Sequence, residues 1–275
     1  MSVLIKGADL HTHSDRSDGM CPPADVVRRA HRRSVRVLAL TDHDTISGNA
    51  EAKAEALRLG IRFAGGIEVN TQEGQVHILG YGIDGGSGKL KRWLAAVRAR
   101  RRRRVGRILA RLRRLGIELG PEELGAGPEM PVGRPHVADA LRRKGVVRTR
   151  SEAFRKYLSK GAPAYEPSMG PLVEEAISAI RKTGGWACLA HPGLLGKSLD
   201  IAPWVDQGLE GIEAFYPGHT QAQTGRFVEM AKRFGLLVTG GSDYHGPGTS
   251  RVEIGSVPIP EEHLRRVEGR LGLCS

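Results

Sequence analysis

Histidines and acidic residues occur together in a series of short motifs whose spacing suits metal binding. Asp9, His11 and His13 alternate along the chain, and side chains two apart on a β-strand project from the same face. Imidazole nitrogens and carboxylate oxygens together form a donor set that Mn²⁺, Fe²⁺ and Zn²⁺ accept. The full series comprises Asp9, His11, His13 and Asp18; Asp42, His43 and Asp44; Glu68; His77; His191; and Asp243 with His245.

Most of these motifs end a segment that is predicted to be a β-strand. The predicted strands cover residues 8–13, 37–42, 62–69, 76–81, 186–191, 211–216 and 236–240, with a further one at 254–258. Helical patterns at 22–34, 48–59, 171–182, 201–207 and 221–234 separate them, which favours an α/β sheet or barrel of parallel strands with crossover helices. In α/β barrels the active site lies where the carboxyl ends of the strands meet. One such motif could be structural, but its recurrence at successive strand ends predicts a multinuclear metal centre.

The alternation of strands and helices is interrupted between residues 85 and 170. Six of the seven residues from 98 to 104 are arginine, and Leu90, Leu94, Ile108 and Leu112 recur at helical spacing through the same stretch. We therefore predict an amphipathic helix with an arginine-rich face, inside a helical insertion. That face is either a solvated surface or one that attracts phosphate or RNA, and the sequence leaves both open.

The overall composition is typical of a cytoplasmic globular protein. Of 275 residues, 40% are hydrophobic, 42 are Lys or Arg and 30 are Asp or Glu, which gives a net charge of +12. These values exclude a disordered or fibrous chain. No apolar run approaches the roughly 18–20 residues that a membrane helix needs, so no membrane is expected as a partner. Three widely spaced cysteines and an amino terminus without a secretory signal favour the cytoplasm.

Taken in order, the motifs D-L-H-T-H-S, T-D-H-D, G-I-E-V, A-H-P-G and G-S-D-Y-H resemble those of the polymerase and histidinol phosphatase (PHP) superfamily of metal-dependent phosphoesterases. The resemblance implies an α/β fold, namely a distorted seven-stranded β/α barrel of the TIM-like PHP type. Residues 1–84 and 171–275 would form this barrel. Residues 85–170 would form a helical insertion that caps the active site.

The resemblance assigns nine of the side chains to three divalent ions, which would be Mn, Fe or Zn. The implied groups are His11, His13, Glu68 and Asp243 for the first ion, Glu68, His77 and His191 for the second, and Asp18, His43 and His245 for the third. Glu68 would therefore bridge two ions.

Five further residues receive roles around these ions. The resemblance implies that Arg134 and His136 of the insertion contact the phosphate or the leaving group, as catalytic or substrate-binding residues. Asp9, Asp42 and Asp44 lie beside the motif histidines, and we expect them to fix the orientations of the imidazole rings.

Two segments of the insertion, V-G-R-P-H-V-A-D-A-L and Y-L-S-K-G-A-P-A-Y, resemble the branch of the superfamily that acts on nucleotides. This implies hydrolysis of the 3′-phosphate of 3′,5′-bisphosphonucleotides, such as adenosine 3′,5′-bisphosphate (pAp) to AMP and phosphate, and of short 5′-phosphorylated RNA. The alternatives are a histidinol-phosphate phosphatase and a non-catalytic RNA-binding protein on the same fold. The arginines of the insertion favour a substrate with more than one phosphate. The oligomeric state stays open.

Overall fold

Seven β-strands lie side by side in chain order and form the sheet that carries the motifs. The computed structural model describes residues 4–5, 7–73, 75–83, 85–125, 127, 129–196, 198–247, 249 and 251–273. Its strands are β1 (Leu4–Ile5), β2 (Ala8–Asp9), β3 (Val37–Leu40), β4 (Arg62–Asn70), β5 (His77–Tyr81), β6 (Trp186–Leu189), β7 (Leu209–Phe215), β8 (Leu237–Gly240) and β9 (Ile259–Pro260). The edges of the sheet β2–β8 meet where Leu10 N donates to Gly240 O at 3.1 Å and His13 N donates to Tyr244 O at 2.8 Å. The sheet therefore forms a nearly closed barrel.

Strand β5 runs antiparallel to both of its neighbours, whereas the other pairs in the barrel are parallel. The prediction of uniformly parallel strands is therefore wrong for this strand. Only residues 71–76 separate β4 from β5, and a parallel crossover needs about a dozen or more. The resulting hairpin pairs His77, the first residue of β5, with Asn70, the last of β4. His77 thus lies at the same end of the barrel as the carboxyl ends of the parallel strands.

The helices confirm the predicted helical segments to within a few residues. The helix Pro23–Arg32 begins with a proline, and the helix Gln221–Phe234 is followed by Gly235, which adopts the left-handed conformation that favours glycine (φ 68°). No described helix is both long and apolar enough to span a membrane. The helices are α1 (Pro23–Arg32), α2 (Asn49–Arg58), α3 (Gly88–Arg114), α4 (Arg134–Arg143), α5 (Arg150–Ala153), α6 (Val173–Arg181), α7 (Ala202–Asp206), α8 (Gln221–Phe234) and α9 (Glu261–Leu271), with 3₁₀ turns at Pro121–Leu124 and Pro192–Leu195 and a π-helical turn at Phe154–Leu158.

Residues 254 and 255 form a turn and residues 256–258 are irregular, so the prediction of a strand at 254–258 is wrong. The backbone N–H of Gly255 donates to the carboxylate of Asp9 at 2.7 Å instead of to a neighbouring strand. The strand begins at Ile259, and this β9 pairs antiparallel with β1 outside the barrel.

Large side chains fill the barrel below its carboxyl-terminal end. Trp186 and Tyr81 are fully buried with ring centroids 4.8 Å apart, and the Tyr81 hydroxyl donates to Leu10 O at 2.9 Å. These rings fill the amino-terminal end of the barrel, so the interior of the barrel is open for a site at its carboxyl-terminal end.

The arginine-rich stretch forms α3, which confirms the predicted amphipathic helix. Its first turns pack on the outside of the barrel through Leu90 and Leu94. Its later turns pack through Ile108 and Leu112 against Leu141 of α4, in a separate apolar cluster. The residue limits predicted for the insertion stay a prediction.

Candidate metal centre

The predicted histidines and acids converge at the open end of the barrel. Strands β2, β3, β6 and β8 each lead directly into a motif, and β4 and β5 carry Glu68 and His77. Each of the nine side chains that the family resemblance assigns to metal ions has a donor atom 3.3 Å or less from a donor atom of another. The structure therefore brings all nine together in one basin, which we call the histidine basin.

The first donor group contains two imidazoles and two carboxylates. The Nε2 atoms of His11 and His13 are 3.1 Å apart, and each lies 3.2 Å from Oε2 of Glu68. Oδ1 of Asp243 lies 3.3 Å from His13 Nε2 and 3.5 Å from His11 Nε2. Four donor atoms thus surround one point, which is the arrangement that a divalent ion requires.

Glu68 lies at the centre of the histidine basin. Its Oε1 is 2.8 Å from His77 Nδ1 and 3.0 Å from His191 Nε2. Its Oε2 faces the first group and also lies 3.1 Å from His43 Nδ1. The two oxygens are therefore turned towards two different sets of imidazoles, as in a carboxylate that bridges two cations.

Asp18, His43 and His245 form a further donor group beside the first. Asp18 Oδ1 lies 3.2 Å from His245 Nε2, and Asp18 Oδ2 lies 3.8 Å from His43 Nε2. The ring of His245 stacks on that of His13 with centroids 4.2 Å apart. The donor groups are thus contiguous.

Hydrogen bonds account for several contacts in the histidine basin, but not for all of them. His43 Nδ1 and Asp18 Oδ1 are buried and have no hydrogen-bond partner among the described residues, although polar atoms lie 3.1 and 3.2 Å away. Burying such atoms without a partner costs free energy, and a cation supplies a partner to both. The donor set therefore fits divalent metal ions.

The mixed charges of the histidine basin shift the pKa values of its members. Burial opposes ionisation of Glu68, but the neighbouring histidines His43 and His11 hold the pKa of that carboxyl well below its usual range. Burial also opposes protonation of His13, but hydrogen bonds to Asp243 and Glu68 raise its pKa to about 9. The carboxylate of Glu68 is therefore ionised at neutral pH, in the form that binds a cation.

Two residues that the sequence analysis missed hold proposed ligands in place. Glu213 of β7 is fully buried and accepts a hydrogen bond from His11 Nδ1 at 3.0 Å and from the backbone N–H of His191 at 2.8 Å. Its signal in the sequence is a single acid within the apolar segment G-I-E-A-F. Arg251 lies 2.9 Å from Asp243 Oδ2, in a segment without a recognisable motif.

Asp9, Asp42 and Asp44 bind backbone groups next to the histidine basin rather than imidazole rings. Asp9 accepts from the backbone N–H of Gly255, Asp42 from that of Ser14 at 2.7 Å, and Asp44 from an N–H of β4. They thus hold the loops that carry the proposed ligands. Their predicted effect on ring orientation stays a prediction.

The backbone around the histidine basin is strained. Asp44, His191 and Asp243 have φ values of 49°, 28° and 52°, and they are three of the four described non-glycine residues with positive φ. Such conformations persist where the surrounding structure enforces them, and they cluster at functional sites.

Three arginines of the 85–170 segment converge beside the histidine basin. Arg101 of α3 donates to the carboxylate of Asp44 and to the amide oxygen of Asn70. Burial, together with the charges of Arg134 and Arg101, lowers the pKa of Arg104 to about 10. Arg104 donates through Nε and Nη2 to the carbonyl oxygen of Glu166, and Arg134 donates to that of Leu158, but within the described residues neither has a carboxylate partner. Crowded cations of this kind attract an anion.

Both ring nitrogens of His136 contact backbone atoms. Nδ1 accepts from Gly133 N at 3.2 Å, and Nε2 lies 3.0 Å from the carbonyl oxygen of Ser17, to which it donates. Burial lowers the pKa of His136, so the ring is neutral at neutral pH. His136 therefore links α4 to the loop that carries Asp18, and its predicted catalytic role stays a prediction.

Similar proteins occur among curated sequences and solved structures. Residues 9–119 match the model of the PHP domain. The chain is 37% identical to the 3′,5′-nucleoside bisphosphate phosphatase of Chromobacterium violaceum, over 96% of this chain and 97% of that protein. It is 35% identical to the 5′-3′ exoribonuclease of Haemophilus influenzae, over 89% of this chain and 92% of that protein. A solved structure from Bifidobacterium adolescentis, described as a metal-dependent phosphoesterase, matches with a TM-score of 0.87 and 31% identity over 96% of each chain.

Proposed function

Because the chain belongs to the PHP-domain family of metal-dependent phosphoester hydrolases, we propose that it hydrolyses phosphate monoesters of nucleotides. The proposed reaction removes the 3′-phosphate of a 3′,5′-bisphosphonucleotide, which converts pAp into AMP and phosphate, and extends to short 5′-phosphorylated RNA. The relatives from C. violaceum and H. influenzae, whose names give these two activities, support both substrates.

The observation that carries this proposal is the position of the arginine group beside the histidine basin. A phosphate ester bound at the basin would leave a second phosphate of the same nucleotide near Arg104 and Arg134. Guanidinium groups suit phosphate oxygens, and among the described residues Arg104 and Arg134 are bound only to backbone carbonyl oxygens and not to a carboxylate. A substrate with two phosphates would bind the histidine basin with one phosphate and Arg104 and Arg134 with the other. The 85–170 segment would cap it.

We propose that the histidine basin holds three divalent ions, which are Mn, Fe or Zn. When bound, such ions neutralise phosphoryl oxygens and lower the pKa of a water nucleophile. The ligands would be His11, His13, Glu68 and Asp243 for the first ion, Glu68, His77 and His191 for the second, and Asp18, His43 and His245 for the third.

The protein's own residues would position the substrate for this reaction. Arg104 and Arg134 would hold the second phosphate and so direct the ester at the histidine basin. His136 would keep α4 at a fixed distance from the loop of Asp18, so that the phosphate-binding and metal-binding groups keep their spacing. The predicted role of His136 as proton donor to the leaving oxygen would require that its neutral ring first take up a second proton at Nδ1, which accepts from Gly133 N.

Phosphate release from pAp, 5′-AMP and histidinol phosphate in the presence of Mn²⁺ tests this function. We expect release chiefly from pAp and none from the Asp243→Ala variant, whose fold is checked by circular dichroism. Release chiefly from histidinol phosphate would favour a histidinol-phosphate phosphatase. No release from any of the three, with RNA bound in a filter assay, would favour the non-catalytic RNA-binding protein.

A further inference from the structure

A cavity of about 830 Å³ lies outside the barrel, between α2 and α3. None of the nine proposed metal ligands lines it. Its floor is the outer face of β4 at Phe63 and Gly65, because alternate residues of a strand face opposite ways and Glu68 faces inwards. Gly65 has no side chain to fill the space, and a Cβ atom there would meet its nearest neighbour, Nδ2 of Asn49, only at 3.5 Å.

The cavity exists because β4 and β5 are joined by a hairpin. A crossover helix would normally cover the outer face of a parallel strand pair, and here no helix follows β4 directly. The first half of α3 takes that place only in part. Its Leu90 and Leu94 pack with Ile177 and Ile180 of α6, so the side towards α2 is left uncovered.

The walls of the cavity combine apolar surface with positive charge. Ile46, Phe63, Ile83 and Leu94 provide the apolar part, which can hold a flat ring. One carboxylate lines the cavity, that of Glu129, whose side chain is 86% exposed. The cationic side chains at the cavity are Lys53, Lys91, Arg92 and Arg98.

Most of this positive charge is not neutralised. Lys53, Lys91 and Arg92 have no ion-pair partner within the described part of the chain. Arg98 is only 9% exposed and pairs with Glu129 through Nη2 at 2.9 Å, but its Nε has no hydrogen-bond partner in the described structure. A buried donor without a partner costs free energy, which an anionic ligand in the cavity would recover.

We propose that this cavity is a second binding site, which takes a nucleoside monophosphate. The base would pack on Phe63 and Leu94, and the phosphate would bind the side chains of Lys53, Lys91 and Arg92. The volume lies within the range of known small-molecule pockets. An apolar slot rimmed by unpaired cations suits a flat ring that carries a phosphate better than it suits inorganic phosphate alone.

The second site is adjacent to the histidine basin but separate from it. Arg98 links the two, because its Nη1 donates to the carbonyl oxygen of Asp44 at 3.5 Å. Thr45, Ile46 and Ser47 line the cavity and follow Asp44 in the chain. The side chains of Arg104 and Arg134, to which the proposed function assigns the substrate, do not line it.

Photolabelling of the full-length protein with 8-azidoadenosine 5′-monophosphate tests the proposal. We expect the label on peptides that contain residues 50–65 or 83–95, and we expect excess AMP to remove it. Ala95 lines the cavity and is exposed, so Ala95→Trp should fill the site and abolish this labelling. Ala96 is also exposed on the same helix but does not line the cavity, so Ala96→Trp should keep the labelling.

A double variant tests whether the positive charge of the cavity contributes to binding. Lys53→Gln combined with Lys91→Gln should reduce the labelling, and inorganic phosphate should compete less well than AMP. The proposal would be overturned by label confined to peptides of the histidine basin, by equal labelling of the two tryptophan variants, or by equal competition from inorganic phosphate. Hydrolysis of pAp by Ala95→Trp and Ala96→Trp is measured in parallel, and equal rates would show that both variants keep the fold and the histidine basin.

Discussion

His11 and Glu213 form a fully buried imidazole–carboxylate pair, in which His11 Nδ1 donates to Glu213 Oε1 at 3.0 Å. Because this bond fixes the proton on Nδ1, the lone pair of Nε2 faces Glu68 and Asp243. The other carboxylate oxygen of Glu213 accepts from the backbone N–H of His191. One acid thus positions two proposed metal ligands.

Glu213→Gln should weaken metal binding and leave the fold intact. The amide has nearly the same shape but lacks the charge that holds the His11 proton in place, and losses of this kind cost about 10–100-fold in metal affinity. Titration of the chelator-treated protein with Mn²⁺ measures the change. Glu210→Gln on the same strand is the control, since Glu210 pairs with Arg270 at the surface. Equal affinities for the two variants would contradict the role of Glu213.

The metal-binding motifs could be predicted from sequence because strand geometry is local. The spacing of His11 and His13 predicts that they project together, and their Nε2 atoms lie 3.1 Å apart, although β2 itself ends at Asp9, whose carboxylate binds Gly255 instead. Glu213 contacts His11 across 202 residues, and nothing near it in the sequence marks that contact.

The arginine run could be recognised, but which of its members face the site could not. Arg98, Arg101 and Arg104 are spaced by three along α3, so they share one side of the helix. The neighbouring Arg103 has the same side chain and is exposed. Which arginines face the site depends on how α3 packs against the barrel and α4. That packing is tertiary and cannot be predicted from the local sequence pattern.

The pKa of His13 predicts that metal binding strengthens with pH. Burial would lower this pKa, but Asp243 and Glu68 raise it from 6.5 to about 9. A histidine must be unprotonated to bind a metal ion, so below this pKa the ion has to displace a proton. The affinity for Mn²⁺ should therefore rise between pH 6.5 and pH 9, with proton release in calorimetry in buffers of different ionisation enthalpy. An affinity independent of pH over this range would exclude His13 as a ligand.

The chelated protein should show the opposite dependence in its stability. Because the folded-state pKa of His13 lies above its ordinary value, the protonated ring stabilises the fold fully below pH 6.5, and this contribution is lost as the pH rises through about 9. The Tm in EDTA should therefore fall over this interval. The Tm of His13→Asn should fall less than that of the wild type over the same pH interval. An equal fall in Tm would show that other groups cause the pH dependence.

Arg104→Gln should impair hydrolysis of pAp more than that of adenosine 3′-monophosphate. Loss of a charge-assisted bond to the second phosphate costs about 1.5–3 kcal/mol, which corresponds to about 10–100-fold in kcat/KM. The nucleotide with one phosphate lacks that contact and should change little. Arg103→Gln, exposed on the same helix, is the matched control. Equal losses on both nucleotides would show that Arg104 does not bind the second phosphate.

Gly241 allows the two edges of the barrel to meet at His11. A Cβ atom at Gly241 would lie 2.4 Å from the Cβ of His11, whereas one at Gly225 in α8 would meet nothing within 4 Å. Gly241→Ala should therefore displace His11, lower the free energy of unfolding by about 1–3 kcal/mol and weaken Mn²⁺ binding. Gly225→Ala should raise the free energy of unfolding by about 0.5–1 kcal/mol, because glycine is unfavourable inside a helix. Urea unfolding in EDTA measures the free energy of unfolding of both variants. A Gly241→Ala protein as stable as the wild type would show that the edges of the barrel at β2 and β8 can move apart without a loss of stability.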